Sequence, residues 1–267
     1  MDARTRLTLH TGRRMPFFGL GTWLLTRDTA ATVEEALRLG YRMIDTAVDY
    51  GSEEGIGEAL ARTSVSRDEI YLVDKVEEDE DAYDATRARL ATMKQEFADL
   101  ILIHRPPSRG AGVDLWRGLI RARADGLTRD IGVSNYTTTQ IDELIDATGE
   151  VPVVNQIEWS PFGWSREMLD YTIRRGIMTQ AYSPLTRAER LGDATLGEIA
   201  REAGRSPAQV LVRWNLQLGT VPIPKANQLA HVRENLGAFD FELSDAQMER
   251  LGALNERYSS LGTLAYA

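Results

Sequence analysis

Three observations predict an α/β fold of the closed (β/α)8-barrel type for this chain. Short apolar runs alternate with helical stretches for nearly the whole length, giving eight strand candidates among 267 residues. The strands are apolar on both faces, which suits a parallel sheet covered by helices. The open doubly wound alternative would carry G-x-G-x-x-G after a strand, but Gly19-Leu-Gly21 and Gly55-Ile-Gly57 both lack the third glycine.

The elements follow in order. Leu7–His10 and Met15 flank Thr11-Gly12, the pattern of a small hairpin that would close the barrel bottom. Barrel strands are expected at Phe17–Gly21, Tyr41–Asp45, Ile70–Asp74, Leu100–Ile103, Asp130–Val133, Val153–Ile157, Ile177–Ala181 and Val221–Ile223. Apolar positions at helical spacing predict helices over Thr29–Leu39, Glu53–Arg62, Asp84–Phe97, Val113–Ala124, Thr138–Ala147, Arg166–Arg175, Pro207–Leu218 and Gln228–Ala238. A last helix, Asp245–Asn255, and a short tail follow. No low-complexity stretch or composition shift marks a linker, so the chain, 1–267, is expected to form one domain.

Composition excludes several classes. Lys+Arg 31 against Asp+Glu 40 leaves a net charge of -9, which disfavours nucleic acid and anionic membranes as partners. The absence of cysteine removes disulfides, thiolate metal sites and thiol nucleophiles. No run approaches the roughly 20 apolar residues of a membrane span, and Met1–Leu7 leads into no signal-like run; a cytoplasmic location is expected. His10, His104 and His231 are far apart in sequence, so no metal site is expected. Only Lys75, Lys94 and Lys225 are lysines among 31 basic residues, which draws attention to Lys75 and Lys225.

Barrel enzymes place their chemistry at the carboxyl ends of the strands. Strand two ends at Asp45, strand three runs into Lys75, and strand four into His104. The remaining ends deliver Ser134-Asn135, Asn155-Gln156, Tyr182-Ser183 and Lys225. Singly, Asp45 has a structural reading as a helix cap and His104 as a core histidine; seven coincident placements point to a site. Tyr50, on the loop leaving strand two, has a phenol whose ordinary pKa is ~10. The Lys75 ammonium beside it would stabilise the phenolate, with Asp45 holding the lysine charged. His104 would hydrogen-bond a carbonyl oxygen. Together they form a proton donor at a developing alkoxide, the set that carbonyl reduction by hydride requires. Two other readings stay open: a barrel lyase using Lys75 or Lys225 as a Schiff base, and a cofactor-binding regulatory barrel with little turnover.

The sequence resembles the aldo-keto reductases over essentially its whole length. The resemblance is carried by Gly19-Leu-Gly-Thr-Trp23, Gly40-Tyr-Arg-Met-Ile-Asp-Thr-Ala47 with Tyr50 and Glu53, Leu102-Ile-His104, and Ile131-Gly-Val-Ser-Asn-Tyr136. Asn155-Gln156, Ala181-Tyr-Ser-Pro-Leu185, Ile223-Pro-Lys225 and Glu234-Asn235 complete it. The compact loops are most similar to the bacterial 2,5-diketogluconate reductase-like branch. The resemblance implies NADPH-dependent reduction of small aldehydes or ketones by a monomer, with Asp45, Tyr50, Lys75 and His104 catalytic.

It also implies a cofactor site. Ser134, Asn135 and Gln156 would hold the carboxamide, Tyr182 would stack on the nicotinamide, and Ser183 and Leu185 would line the pyrophosphate path. Gly21 and Thr22 belong to the same set. Lys225, with Asn227 as the N-cap of the last barrel helix, suits a 2′-phosphate, and Glu234 and Asn235 would contact the adenine. His231 stands where relatives tend to have arginine, and Ala226 where they often have a hydroxyl residue. Both departures weaken the phosphate grip, so NADH is expected to be accepted alongside a preferred NADPH. Trp23, Val48, Arg105 and Trp164 are the expected pocket walls, Arg105 adding a cation that would favour acidic or hydroxyl-rich carbonyls. Asp74, in place of a small hydroxyl residue, would compete with Asp45 for Lys75. The run Glu77–Asp81 reads as a solvated loop.

Overall fold

The computed structural model describes residues 2–25 and 28–266. Eight parallel strands form one sheet in sequence order: β3 (Leu20–Gly21), β4 (Met43–Asp45), β5 (Tyr71–Val76), β6 (Ala98–Ile103), β7 (Thr128–Ser134), β8 (Val154–Glu158), β9 (Met178–Tyr182) and β10 (Val221–Pro222). The sheet closes on itself. Gly21 bridges to Lys225, the Gly19 N–H donates to the Pro222 carbonyl (3.1 Å), and the Gly21 N–H to that of Pro224 (3.3 Å).

The short last strand has a chemical cause. Pro222 and Pro224 have no N–H, and both face β3, so across that seam these two residues can only accept. Between them Ile223 faces the other way and donates to Ala181 in β9 (3.1 Å). The backbones approach closely at the seam: a Cβ on Gly21 would lie 2.7 Å from the Ile223 carbonyl oxygen, so only glycine fits.

The expected hairpin is present as β1 (Arg6–Thr8) paired antiparallel with β2 (Arg14–Pro16). It sits at the amino ends of the barrel strands. Arg6 donates to the Glu69 carbonyl ahead of β5, Thr11 Oγ1 to Asp130 in β7, and His10 Nδ1 meets the Gly176 carbonyl ahead of β9. The opposite end, where the strands finish, is left free for a site.

Helices α1 (Thr29–Leu39), α2 (Glu53–Arg62), α4 (Val113–Ala124), α6 (Arg166–Arg175) and α8 (Pro207–Leu218) occupy the expected segments, and α5 (Thr138–Thr148) runs one residue further. Strong caps explain this legibility: Ser206 and Gln209 form a capping box around Pro207, and Thr137 and Gln140 another. Other segments differ. Asp81 starts α3 (Ala82–Met93) early by accepting from the Asp84 N–H, and Lys94 ends it in the left-handed region at φ 55°. The expected helix to Phe97 is therefore cut short, and β6 begins at Ala98.

Helix α7 (Ala194–Ala203) was not expected, although Asp193 and Gly204 cap it. Helix α9 (Leu229–Leu236) is shorter than expected because Gly237–Phe239 tightens into a 3-10 turn. Helix α10 (Asp245–Gly252) stops before Asn255. Between strands and helices lie fully buried Trp116, Trp159 and Trp214 on one side. On the other, Phe18 packs against Tyr41 and Phe239 at 5.0 and 5.4 Å. Among the described residues no helix is long and apolar enough to cross a membrane.

Candidate active site

At the carboxyl end of the barrel a buried ion pair forms first. Lys75 is fully buried, and its Nζ donates to Asp45 Oδ1 (2.8 Å) and to the Thr46 carbonyl (2.6 Å). Gln156 Nε2 donates to the other Asp45 oxygen (2.6 Å) and to Gln180 Oε1 (2.7 Å), so both carboxylate oxygens are engaged. Burial opposes the lysine charge, but Asp45, by its charge and its hydrogen bond, outweighs it and holds the ammonium above its ordinary pKa.

Asp74 does not compete for this lysine. Strand alternation sends neighbouring side chains to opposite faces, so Lys75 points into the barrel and Asp74 out toward α2. There Asp74 lies close to the Glu53 carboxyl. Burial pushes both pKa values up. Arg89 lies 3.8 Å from Glu53 and 2.6 Å from Glu80.

Tyr50 ends a 3-10 turn, Val48–Tyr50, released by Gly51 at φ +65°. Its ring lies 5.0 Å from Lys75 Nζ and meets the His104 ring edge-on at 5.9 Å. Lys75 does favour the phenolate, as expected, but it does not win. Burial raises the phenol's pKa more, with Asp45 and Asp49 adding to it, so Tyr50 keeps its proton at neutral pH. His104 is buried at the end of β6, its Nδ1 2.8 Å from Glu77 Oε1. Glu77 is therefore not simply part of a solvated loop. Burial opposes its ionisation, yet the hydrogen bond to His104 and the charges of His104, Arg105 and Arg89 hold it below the usual carboxylate range.

A second set of contacts ties the strand ends together. Ser134 Oγ donates to the Gln156 carbonyl (2.8 Å). Asn135 adopts φ 63°, a conformation Asn tolerates, and its amide donates to the His104 carbonyl and to Ser134 Oγ, both at 3.1 Å. Tyr182 donates to Asn135 Oδ1 (2.8 Å), which fixes its ring at the mouth. Thr22 Oγ1 reaches the Asp45 carbonyl and Ser52 Oγ, both at 2.9 Å. Ser183 takes φ 46° and Leu185 is half-buried.

Lys225 follows β10 and has no carboxylate partner among the described residues; burial lowers its pKa. With the Asn227 amide oriented to satisfy both ends, its oxygen accepts from Lys225 Nζ (3.0 Å) and its nitrogen donates to the Leu24 carbonyl (3.1 Å). Asn227 is thus not the expected N-cap. Gln228 occupies that place without a side-chain hydrogen bond, which leaves the α9 amino terminus uncapped. His231 is exposed and Ala226 buried. Glu234 is half-buried, its carbonyl taken by Gln209 (2.9 Å), and Asn235 is buried beside the Tyr41 hydroxyl.

Residues 18–256 match the sequence model of the Aldo/keto reductase family. The chain belongs to the aldo/keto reductase family. It is similar to an aldo-keto reductase of Mycobacterium sp. (strain JLS), 40% identical over 94% of this chain and 93% of the relative. It is also similar to a glyoxal reductase of Bacillus subtilis (strain 168), 39% identical over 93% and 92%. Among solved structures it is similar to a mutant of Gox0644 in complex with NADPH, with a TM-score of 0.88, 36% identity, and 95% and 94% of the two chains covered. As an aldo/keto reductase the protein is an oxidoreductase whose chemistry is, in general terms, the reduction of small carbonyl compounds.

Around the reductase mouth, Val48 is half-buried and Arg105 exposed, while Trp23 lies under the Arg187 guanidinium at 4.0 Å. Trp164 packs between Trp159 and Trp214, at 6.3 and 6.0 Å, and donates its indole N–H to the Gly252 carbonyl (3.1 Å). Glu158, two residues beyond Gln156 and buried, fastens the tail. It accepts from Ser259 Oγ (2.6 Å) and from the Ser260 N–H (2.8 Å) and hydroxyl. Tyr266 donates to the Glu158 and Gly163 carbonyls (2.9 and 2.8 Å). Glu158, Gln180 and Glu77 were not singled out from sequence. Each lies two residues from a polar strand-end residue or in the next strand, and period-two alternation would have placed Glu77 on the Lys75 face.

Proposed function

We propose that the chain reduces small aldehydes or ketones to alcohols at the expense of NADPH, with Tyr50 as the proton donor. The observation that carries this reading is the buried Lys75 ammonium, held between the Asp45 carboxylate and the Tyr50 ring beside His104.

The residues at the mouth fit a phosphorylated nicotinamide dinucleotide. Tyr182 offers a fixed aromatic face, and Ser134, Asn135 and Gln156 offer amide-recognising groups. Lys225 and the uncapped α9 terminus offer an anion site. When bound, the reduced nicotinamide would supply a hydride to the carbonyl carbon. Tyr50, protonated in the resting site, gives its proton to the carbonyl oxygen. Lys75 then stabilises the phenolate that remains, and Asp45 keeps Lys75 charged. His104 positions the oxygen between itself and Tyr50. The likeness to a glyoxal reductase supports small, polar carbonyls as substrates. The Schiff-base reading is disfavoured at Lys75 because Asp45 raises its pKa, whereas an amine nucleophile needs it lowered; at Lys225, borohydride trapping with a carbonyl substrate tests it.

NADPH oxidation followed by absorbance, with aldehydes, α-keto esters and diketo sugars, tests the reading. Tyr50→Phe should lose about 10²–10⁴ in kcat, the usual range for removing a general acid, while still binding NADPH. Turnover retained in that variant would sink the mechanism.

A further inference from the structure

We infer that Glu77 is a positioning residue for this reduction: it holds His104 protonated at Nδ1, so that Nε2 donates to the substrate oxygen only as part of an imidazolium. The inference rests on the reductase reading, in which His104 faces the carbonyl.

The contact decides the tautomer. Glu77 Oε1 lies 2.8 Å from Nδ1, and a carboxylate can only accept, so Nδ1 carries the hydrogen. Nε2 has no hydrogen-bond partner among the described residues. The assembly is held from behind. The Glu77 N–H donates to Glu80 Oε2 (2.9 Å), Glu80 is clamped by Arg89 (2.6 Å), and the His104 N–H donates to the Val76 carbonyl (2.9 Å). Asn135 takes the His104 carbonyl from the other side. A carboxylate on one imidazole nitrogen is a familiar way to fix what the other nitrogen presents.

Other charged groups face the same ring. Asp49 has a carboxylate oxygen within 4.8 Å of a His104 ring nitrogen and of a Glu77 carboxylate oxygen. Tyr50 meets the ring edge-on, with Lys75 beyond it. Arg105 and Arg89 act on Glu77. With Nδ1–H fixed, a neutral His104 presents a lone pair to the substrate oxygen, which repels it. A doubly protonated His104 presents a charged donor. In the step itself the hydride goes to carbon and the Tyr50 proton to oxygen. His104 keeps both its protons and stabilises the developing alkoxide.

Two measurements test this. Nitrogen-15 NMR of the three histidines, with His104 assigned by replacing His10 and His231, reads the tautomer in the unaltered protein. Nδ1–H in the neutral ring is expected, and Nε2–H would overturn the inference. The pH profile of kcat/KM reads the consequence. For the wild type it should fall as His104 loses its second proton. Glu77→Gln should lower the acidic plateau about tenfold, the loss of one charge-assisted hydrogen bond. It should also flatten the fall, because an amide N–H can donate to Nδ1 and free Nε2–H. A Glu77→Gln profile parallel to the wild type would mean a merely structural contact and would overturn the inference. In that case, loss of turnover in Tyr50→Phe would leave the reductase reading standing; retained turnover there would remove both.

Discussion

Lys75 illustrates how the site's residues depend on each other. Its ammonium is stripped of water and compensated by Asp45, one backbone carbonyl and the Tyr50 ring. Replacing one partner of such a buried pair leaves an uncompensated charge, at a cost of about 3–5 kcal/mol. Asp45→Asn should therefore unfold at lower denaturant by about that amount, as well as lose activity; unchanged stability would mean that the lysine is not held charged. Asp45, Lys75 and His104 were legible because an ionisable group at a barrel strand's end is conspicuous. Glu77 was not, since it opens an acidic run, and such runs are usually solvated. Only the contact with His104 separates it from Glu78 and Asp79. The state of Tyr50 was also illegible: sequence names its lysine neighbour but not the depth of burial that outweighs it.

At the scale of the element, β5 presents two chemistries on its two faces. Inward lies the Lys75 ion pair; outward, Asp74 is buried near Glu53 of α2, and burial raises both pKa values. Because burial raises the folded pKa values of these acids, the folded state keeps a proton that the unfolded chain releases. Below the ordinary carboxylate range both states are protonated and the pair has no pH-dependent effect. As pH rises through that range and up to the raised folded value, stability is lost. Asp74→Asn, which imitates the protonated acid, should melt like the wild type at low pH and be the more stable of the two near neutrality. Thermal melts across pH would show this, and a variant less stable at neutral pH would contradict the raised pKa. Helix starts were legible at the capping boxes of Ser206 and Thr137, but not at the side-chain caps Asp81 and Asp193. Helix ends were lost where backbone conformation decides, as at Lys94 and at the Gly237–Phe239 turn.

For the molecule as a whole, a bound cofactor should act as a ligand of the folded state only. At about 100 times its Kd, NADPH would stabilise by about 2.7 kcal/mol and raise Tm by about 5–10 °C. If His231 and Ala226 weaken a phosphate grip, NADH at the same concentration should give about half that rise; no NADH shift at all would refute relaxed cofactor choice. Sequence by itself determined the barrel, the order of its strands and the strand-end residues that face the mouth, because periodicity and chain order are local properties. Closure of the barrel was decided by tertiary structure, through Pro222 and Pro224 accepting from Gly19 and Gly21. So were the separation of Asp74 from Lys75, the meeting of Glu77 with His104, and the fastening of the tail by Glu158. These depend on distances between residues remote in sequence and on burial, which sets both hydrogen-bond partners and protonation; neither is written in the spacing of residues along the chain.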